Sequence, residues 1–162
     1  MNQFFQFEAD FIKSMRCIPM QVRLNLDTCG VKLKLDHWHQ LSSQERQELL
    51  SMPCTTSEES NSYRQFLQNL VIEKTNAPAK ELPIDEHPPW LNSGNIPPET
   101  ADKARIEFGV TITVDQWEQL SPLQRFALIK LSRPSHENKN FYPALKEFGL
   151  IEETVQAEQK QS

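Results

Sequence analysis

Apolar and polar residues follow a pattern that occurs twice along the chain. Residues 30–52 match residues 109–131 without a gap at a shift of 79 positions, and nine of the 23 residues are identical. Most other positions exchange one residue for a similar one. A match of this density predicts an internal duplication. The matching register extends the repeat unit to about residues 11–70 and 90–149.

Each copy begins with the same helix signals. Pro19 and Pro98 open a helical stretch, because proline suits the first helical turn. Gly30 and Gly109 close it, since glycine readily adopts the left-handed conformation of a helix C-cap.

A short alternation of apolar and polar residues follows each glycine. It covers Val31–Leu35 in the first copy and Val110–Val114 in the second, and it predicts two half-buried strands. A lone strand leaves its backbone groups unpaired, so we expect the two strands to pair with each other across a pseudo-twofold axis.

Capping signals predict the helices that come next. Asp36 and Asp115 are the expected N-caps of short helices, and Ser42 with Glu45 forms a Ser-x-x-Glu capping box, which predicts a further helix. The later helices are expected over residues 43–52, 58–73, 122–131 and 137–148.

These elements predict a mainly α fold with two pseudo-symmetric helical repeat units, which recur with a period of about 79 residues and are joined by a small two-stranded sheet. The first unit, with an N-terminal segment, covers residues 1–74, and the second covers residues 90–151. Residues 75–89 are rich in proline and charge and predict a stiff, extended linker. Residues 152–162 are expected to be a disordered tail, and the two units to pack as one domain.

Composition and charge narrow the functional classes. The formal net charge of −5 argues against a protein that binds nucleic acid through phosphate contacts. No apolar run is long enough to span a bilayer, and the N-terminus lacks the pattern of a signal peptide. We therefore expect a cytoplasmic protein with no membrane contact, whose three cysteines are reduced thiols.

The chain carries no strong catalytic or cofactor motif. Its four glycines are scattered, which excludes a phosphate-binding glycine loop, and no nucleophile-elbow or Cys-x-x-Cys pattern occurs. We therefore expect no enzymatic activity, no cofactor and no metal. Buried, inert thiols are one interpretation of Cys17, Cys29 and Cys54, and a metal site formed by Cys17, Cys54 and a histidine is the other.

The duplication separates structural positions from functional ones. Residues shared by both copies are explained by the fold, whereas residues found only in the first copy need another explanation. Several of these are basic, and a flexible methionine and a thiol accompany them. They predict a partner-binding surface formed by Arg16, Cys17, Met20, Arg23, Lys32 and Lys34.

The first copy also carries a specific family resemblance. Its Phe-Glu-x-Asp-Phe opening at residues 7–11, the run Ser-Met-Arg-Cys-Ile-Pro-Met at residues 14–20, and Leu-Asp-x-Cys-Gly at residues 26–30 are similar to the conserved nitrate reductase-associated proteins of cyanobacteria. Val22, Arg23, Trp38, Arg46 and the Pro53-Cys54 pair add to the likeness, which extends over nearly the whole chain.

The resemblance implies a small accessory protein that supports production of active assimilatory nitrate reductase, an enzyme with an iron–sulfur cluster and a molybdenum–pterin cofactor. The expected partner is the reductase or the machinery that inserts its molybdenum cofactor. The resemblance supplies no catalytic residue. A thiol-based metal or iron–sulfur carrier and a regulator that senses a small ligand remain as alternatives.

Overall fold

The chain divides into two compact units, Met1–Glu86 and His87–Ser162, in a computed structural model. The structure describes residues 4–13, 17–134 and 138–151, apart from the side chains of Phe11 and Asn138. Both units are mainly helical, as the sequence predicted. The tail predicted for residues 152–162 lies outside the described residues. That the two units pack as one domain stays a prediction.

The first unit contains five α-helices and two short strands among its described residues. A 3-10 turn at Gln6–Glu8 leads into the first helix, and the elements then follow in the order α1 (Ala9–Lys13), α2 (Met20–Cys29), β1 (Val31–Lys32), α3 (Leu35–Gln40), α4 (Ser43–Ser51), α5 (Ser57–Thr75) and β2 (Lys80–Glu81).

A buried glutamate fixes the start of α2. Glu8 is 4% exposed, and its Oε1 accepts the backbone N–H of Met20 at 3.0 Å while its Oε2 accepts that of Phe5 at 3.1 Å. The first N–H groups of a helix lack partners within it, and a negative charge there also interacts favourably with the helix dipole. Glu8 therefore anchors the N-terminal segment to α2. Phe4, in the same segment, packs against the core.

The two strands of the first unit pair with each other. β1 runs antiparallel to β2, so the predicted strand pair between the two copies is wrong, and residues 110–113 form no strand. The physical reason is a nearer partner. Gln68 of α5 accepts the backbone N–H of Ala79 and donates to its carbonyl, both at 2.8 Å, which holds the chain beside β1. The predicted extended linker thus contains a strand of the first unit.

Helices α3 and α4 begin at polar caps, one of which differs from the prediction. Ser42 and Glu45 form the predicted capping box, with the Glu45 carboxylate 2.7 Å from the Ser42 backbone nitrogen. The predicted cap at Asp36 is wrong, because α3 starts at Leu35 with Lys34 as N-cap. In the second unit the predicted cap at Asp115 is wrong in the same way, because the N-cap of that helix is Thr113, two residues earlier.

The core of the first unit forms where α2 and α3 pack on the long helix α5. The packed side chains are mostly aliphatic, with one tryptophan, one tyrosine and two cysteines. They are Val22, Leu26, Cys29, Val31, Leu33, Trp38, Leu41, Leu49, Leu50, Cys54, Tyr63, Leu67, Leu70, Val71 and Ala79.

The described residues of the second unit form α-helices and 3-10 turns, joined by irregular segments, and no strand. A 3-10 turn at Pro89–Leu91 is followed by α6 (Pro98–Phe108), α7 (Val114–Gln119), α8 (Pro122–Leu131), a 3-10 turn at Asn138–Asn140, and α9 (Phe141–Glu147). Helix α8 is the centre of this unit and packs against the first turn, α6 and α9.

A buried arginine ties the second unit together. Arg125 of α8 is 6% exposed and donates to the carbonyls of Trp90 at 2.7 Å, Trp117 at 3.1 Å and Leu120 at 2.6 Å. Burial lowers the pKa of its guanidinium group. In the first unit Arg46 binds the carbonyls of Trp38 and His39, both at 3.1 Å, but is only half-buried.

The order of helices in residues 20–51 recurs in residues 98–131. Helix α7 begins and ends 79 residues after α3, and Gly30 and Gly109 both follow their helices in the left-handed conformation, with φ of 76° and 67°. The correspondence is strongest before α5. Because α5 spans 19 residues and α9 only seven, the origin of the chain by duplication stays a prediction. Within the described residues, no helix is long and apolar enough to cross a membrane.

Candidate interaction surface

Three exposed lysines gather at the small sheet of the first unit. Lys32 and Lys80 are directly opposite each other in the antiparallel ladder, which places their Cβ atoms about 4.5–5.5 Å apart on one face. Val31 and Leu33 are buried whereas Lys32 and Lys34 are exposed, so this alternation directs Lys34 to the same side. We call Lys32, Lys34 and Lys80 the lysine face. Among the described residues, none of the three forms an ion pair.

Neighbouring acidic groups do not neutralise the lysine face. Glu81 is next to Lys80, but in the ladder it stands opposite Val31, on the other side of the sheet. Its carboxylate accepts a hydrogen bond from Gln68 Nε2 at 3.4 Å. Two like charges directly opposite each other in a sheet disfavour folding. Within the part of the chain that the structure describes, no ion pair offsets the repulsion between Lys32 and Lys80.

The structure separates the six residues predicted to bind a partner. Lys32 and Lys34 are exposed, as expected. Met20 is 3% exposed, so its expected place on the surface is wrong: it is the first residue of α2 and turns into the core beside Glu8. Cys17 and Arg23 are half-buried and both make contacts of their own. Arg16 lies outside the described residues.

Lys80 was missed at the sequence level. It falls in the segment that resembled a linker, and no local pattern places it opposite Lys32. The contacts of Gln68 with Ala79, together with the hydrogen bond from the Leu82 N–H to the Gly30 carbonyl at 2.8 Å, hold this segment beside β1 and so bring the two lysines together.

Two of the three cysteines lie side by side in the core of the first unit. Cys29 is the last residue of α2 and Cys54 is in the turn between α4 and α5; they are 0% and 6% exposed. Their Sγ atoms donate to successive carbonyls of α2, Cys29 to Leu26 at 3.8 Å and Cys54 to Asn25 at 3.7 Å. Each thiol also shifts the pKa of the other, which reflects how close together they lie in the core.

Polar groups line this part of the core. The Tyr63 hydroxyl donates to the carbonyl of Leu49 at 2.7 Å, and burial raises the pKa of Tyr63. The Arg64 guanidinium donates to the carbonyl of Cys29 at 3.3 Å. In the described part of the chain, no three His, Cys, Asp or Glu side chains come together in a way that could hold a metal ion. Cys29 and Cys54 are buried, as one of the two interpretations from the sequence expects, whereas Cys17 is half-buried.

His37 has a structural role at the start of α3. Its Nδ1 accepts the backbone N–H of Lys34 at 3.1 Å. Partial burial, followed by the nearby Lys34 charge, lowers the pKa of His37. Gln116 occupies the same position in α7 and accepts the N–H of Thr113 at 2.9 Å. The two side chains therefore serve as equivalent caps.

A comparison with known proteins finds one family whose model matches residues in both units. Residues 4–148 match a family model described as conserved nitrate reductase-associated protein, which confirms the resemblance noted from the sequence. No curated protein and no solved structure matches the chain. Because the family match covers most of the sequence, the chain belongs to the conserved nitrate reductase-associated protein family.

Proposed function

We propose that this protein is a non-catalytic accessory factor for assimilatory nitrate reductase. It acts in the cytoplasm by binding the reductase, or the machinery that inserts its molybdenum cofactor, and thereby supports maturation, stability or activity of the enzyme. The family description supports an association with nitrate reductase. The lysine face supplies the surface for that association.

The direct opposition of Lys32 and Lys80 carries this proposal. Placing two exposed lysines opposite each other disfavours the sheet, and a glutamate at either position would remove the repulsion. A surface that keeps an unfavourable charge arrangement is typical of a binding site, where the gain comes from the partner.

The chemistry of the face favours an acidic protein surface as the partner. Lysine side chains are flexible point charges that adapt to several carboxylates, whereas tight bidentate recognition of one phosphate generally uses arginine. Arg23, which is half-buried, and Arg16, which lies outside the described residues, stay part of the proposed surface. A phosphate of the anionic pterin cofactor would offer the same charge, and the experiment below separates the two sources.

The test is affinity purification of the tagged protein from nitrate-grown cells, followed by identification of bound proteins. The variant Lys32→Glu/Lys34→Glu/Lys80→Glu is compared with Lys13→Glu/Lys139→Glu/Lys146→Glu, which changes the net charge equally at three exposed lysines elsewhere. We expect the wild type and the control to retain the reductase or the insertion machinery, and the lysine-face variant to lose it.

Two results would contradict the proposal. Recovery of neither partner with the wild type would remove the proposed association, and equal recovery with both variants would remove the lysine face. If the partner is captured only from cells that make the molybdenum cofactor, the cofactor is the source of the negative charge.

A further inference from the structure

The Cys29–Cys54 pair has a geometry that the proposed binding function does not use. The two sulfur atoms bind carbonyls of consecutive residues of α2, in a core otherwise filled mainly by aliphatic side chains. A disulfide needs a sulfur–sulfur distance of about 2.05 Å, and rotation of the two side chains away from these neighbouring carbonyls would bring the sulfur atoms together.

The surroundings of the two thiols give them different roles. Cys54 is in a turn between the exposed residues Pro53 and Thr55, whereas Cys29 is completely buried. An oxidant arriving from solvent therefore meets Cys54 first. The neighbouring Cys29 thiol lowers the pKa of Cys54, and the neighbouring Cys54 thiol together with burial raises the pKa of Cys29. Since the thiolate is the nucleophile, Cys54 is also the better attacking group.

We propose that Cys29 and Cys54 form a peroxide-responsive dithiol that closes to an intramolecular disulfide. In the first step the sulfur of Cys54 attacks a peroxide oxygen, the S–O bond forms and the O–O bond breaks, and water leaves. Cys29 then attacks the sulfenic acid of Cys54: the S–S bond forms, the S–O bond breaks, and a second water leaves. Two thiols are oxidised to one disulfide while one hydrogen peroxide is reduced to two waters.

The disulfide would connect two elements that support the lysine face. Cys29 ends α2, and Gly30 then leads directly into β1, which carries Lys32. Oxidation would tie this junction covalently to the turn before α5. Closing a loop of this size restricts the unfolded chain, so the oxidised protein should be the more stable form.

The test uses the full chain with Cys17→Ala, which leaves only the pair. After treatment of the folded protein with hydrogen peroxide, we expect the mass to fall by two hydrogen atoms and both thiols to resist maleimide after denaturation. Dithiothreitol should restore the mass and both thiols. The apparent Tm should rise on oxidation by several degrees. Added oxygen without a cross-link, disulfide-linked dimers, or two thiols still reactive would overturn the proposal.

Single variants in the same background test the order of attack. With Cys29→Ala, Cys54 should gain one oxygen and become reactive to dimedone, because no second thiol resolves the sulfenic acid. With Cys54→Ala, the buried Cys29 should stay reduced over the same time. Oxidation of Cys29 at an equal rate would contradict the assignment of Cys54 as the attacking residue.

Discussion

Lys32 and Lys80 stand directly opposite each other on the only strands that the described residues form, and no acidic side chain there makes an ion pair with either. The strands are two residues long, so this pair accounts for one of only two cross-strand positions. If the two lysines disfavour the sheet and serve in binding, replacing one of them should raise the stability of the protein and weaken its binding to the partner.

Replacing one lysine of the pair should stabilise the protein. Lys80→Glu converts a repulsive cross-strand contact into an attractive one, and we expect the free energy of unfolding to rise by about 0.2–1 kcal/mol. Urea unfolding of the free protein, followed by tryptophan fluorescence at low and high salt, measures the change. The gain should shrink as salt screens the exposed pair.

The double variant Lys32→Glu/Lys80→Glu supplies the control. It restores two like charges, so its stability should fall below that of either single variant. A double variant as stable as the single variants would mean that the two side chains do not interact.

The two glycines that end α2 and α6 should respond differently to alanine. Both have positive φ, so each substitution should cost about 1–2 kcal/mol for the left-handed backbone alone. At Gly30 the added Cβ would lie 2.6 Å from the carbonyl oxygen of Leu82, whereas at Gly109 nothing lies within 4 Å. Gly30→Ala should therefore cost about 1–3 kcal/mol more than Gly109→Ala, as judged by urea unfolding. Equal losses would show that β1 and the Leu82 segment do not approach this closely.

The buried arginine of α8 should matter more than its half-buried equivalent in α4. Arg125→Met removes donors from three buried carbonyls, and we expect a loss of roughly 2–4 kcal/mol. Arg46→Met affects two carbonyls nearer to solvent, which water can reach, and should cost about 1 kcal/mol. Thermal unfolding of the two variants tests the order, and a larger loss at Arg46 would contradict it.

The cap made by His37 should give the stability of the first unit a pH dependence. The folded pKa of His37 lies below the ordinary value of 6.5, so the unfolded chain binds more protons between these two values. This contribution is complete above pH 6.5 and is lost as the pH falls through the folded pKa. The change should appear in urea midpoints measured between pH 5 and about pH 8.

His37→Gln is the matched control for that titration. Glutamine already fills this role at Gln116, so the cap should be kept while the dependence on pH disappears. An unchanged slope in this variant would assign the effect to another group.

The sequence predicted the local signals of the fold well. The capping box of Ser42 with Glu45 involves two residues three positions apart, and each of the C-caps at Gly30 and Gly109 follows directly after its helix. Such local signals can be recognised from the sequence, and the structure confirms these caps. Contacts between distant residues could not be predicted in this way. The hydrogen bonds of Glu8 with Met20 and of Gln68 with Ala79 depend on how the elements pack. Neither of them produces a periodic pattern in the sequence.

The same distinction explains the errors at the candidate site. Lys32 and Lys34 were recognised because alternation along a strand is local. Met20 was assigned to the surface because it occurs only in the first copy, together with basic residues, although it is buried at the start of α2 where Glu8 binds its backbone. Lys80 was not recognised because β2 pairs with β1 across a large separation in the chain, which includes the whole of α5. No local sequence pattern indicates a pairing of this kind.

The most direct test of the proposed association is the affinity of the purified protein for purified nitrate reductase, measured by calorimetry at two salt concentrations. We predict binding that weakens as salt rises, that is lost in Lys32→Glu/Lys34→Glu/Lys80→Glu, and that persists in Lys13→Glu/Lys139→Glu/Lys146→Glu. Binding to the reductase that is equally strong in both triple variants and insensitive to salt would contradict a role for the lysine face.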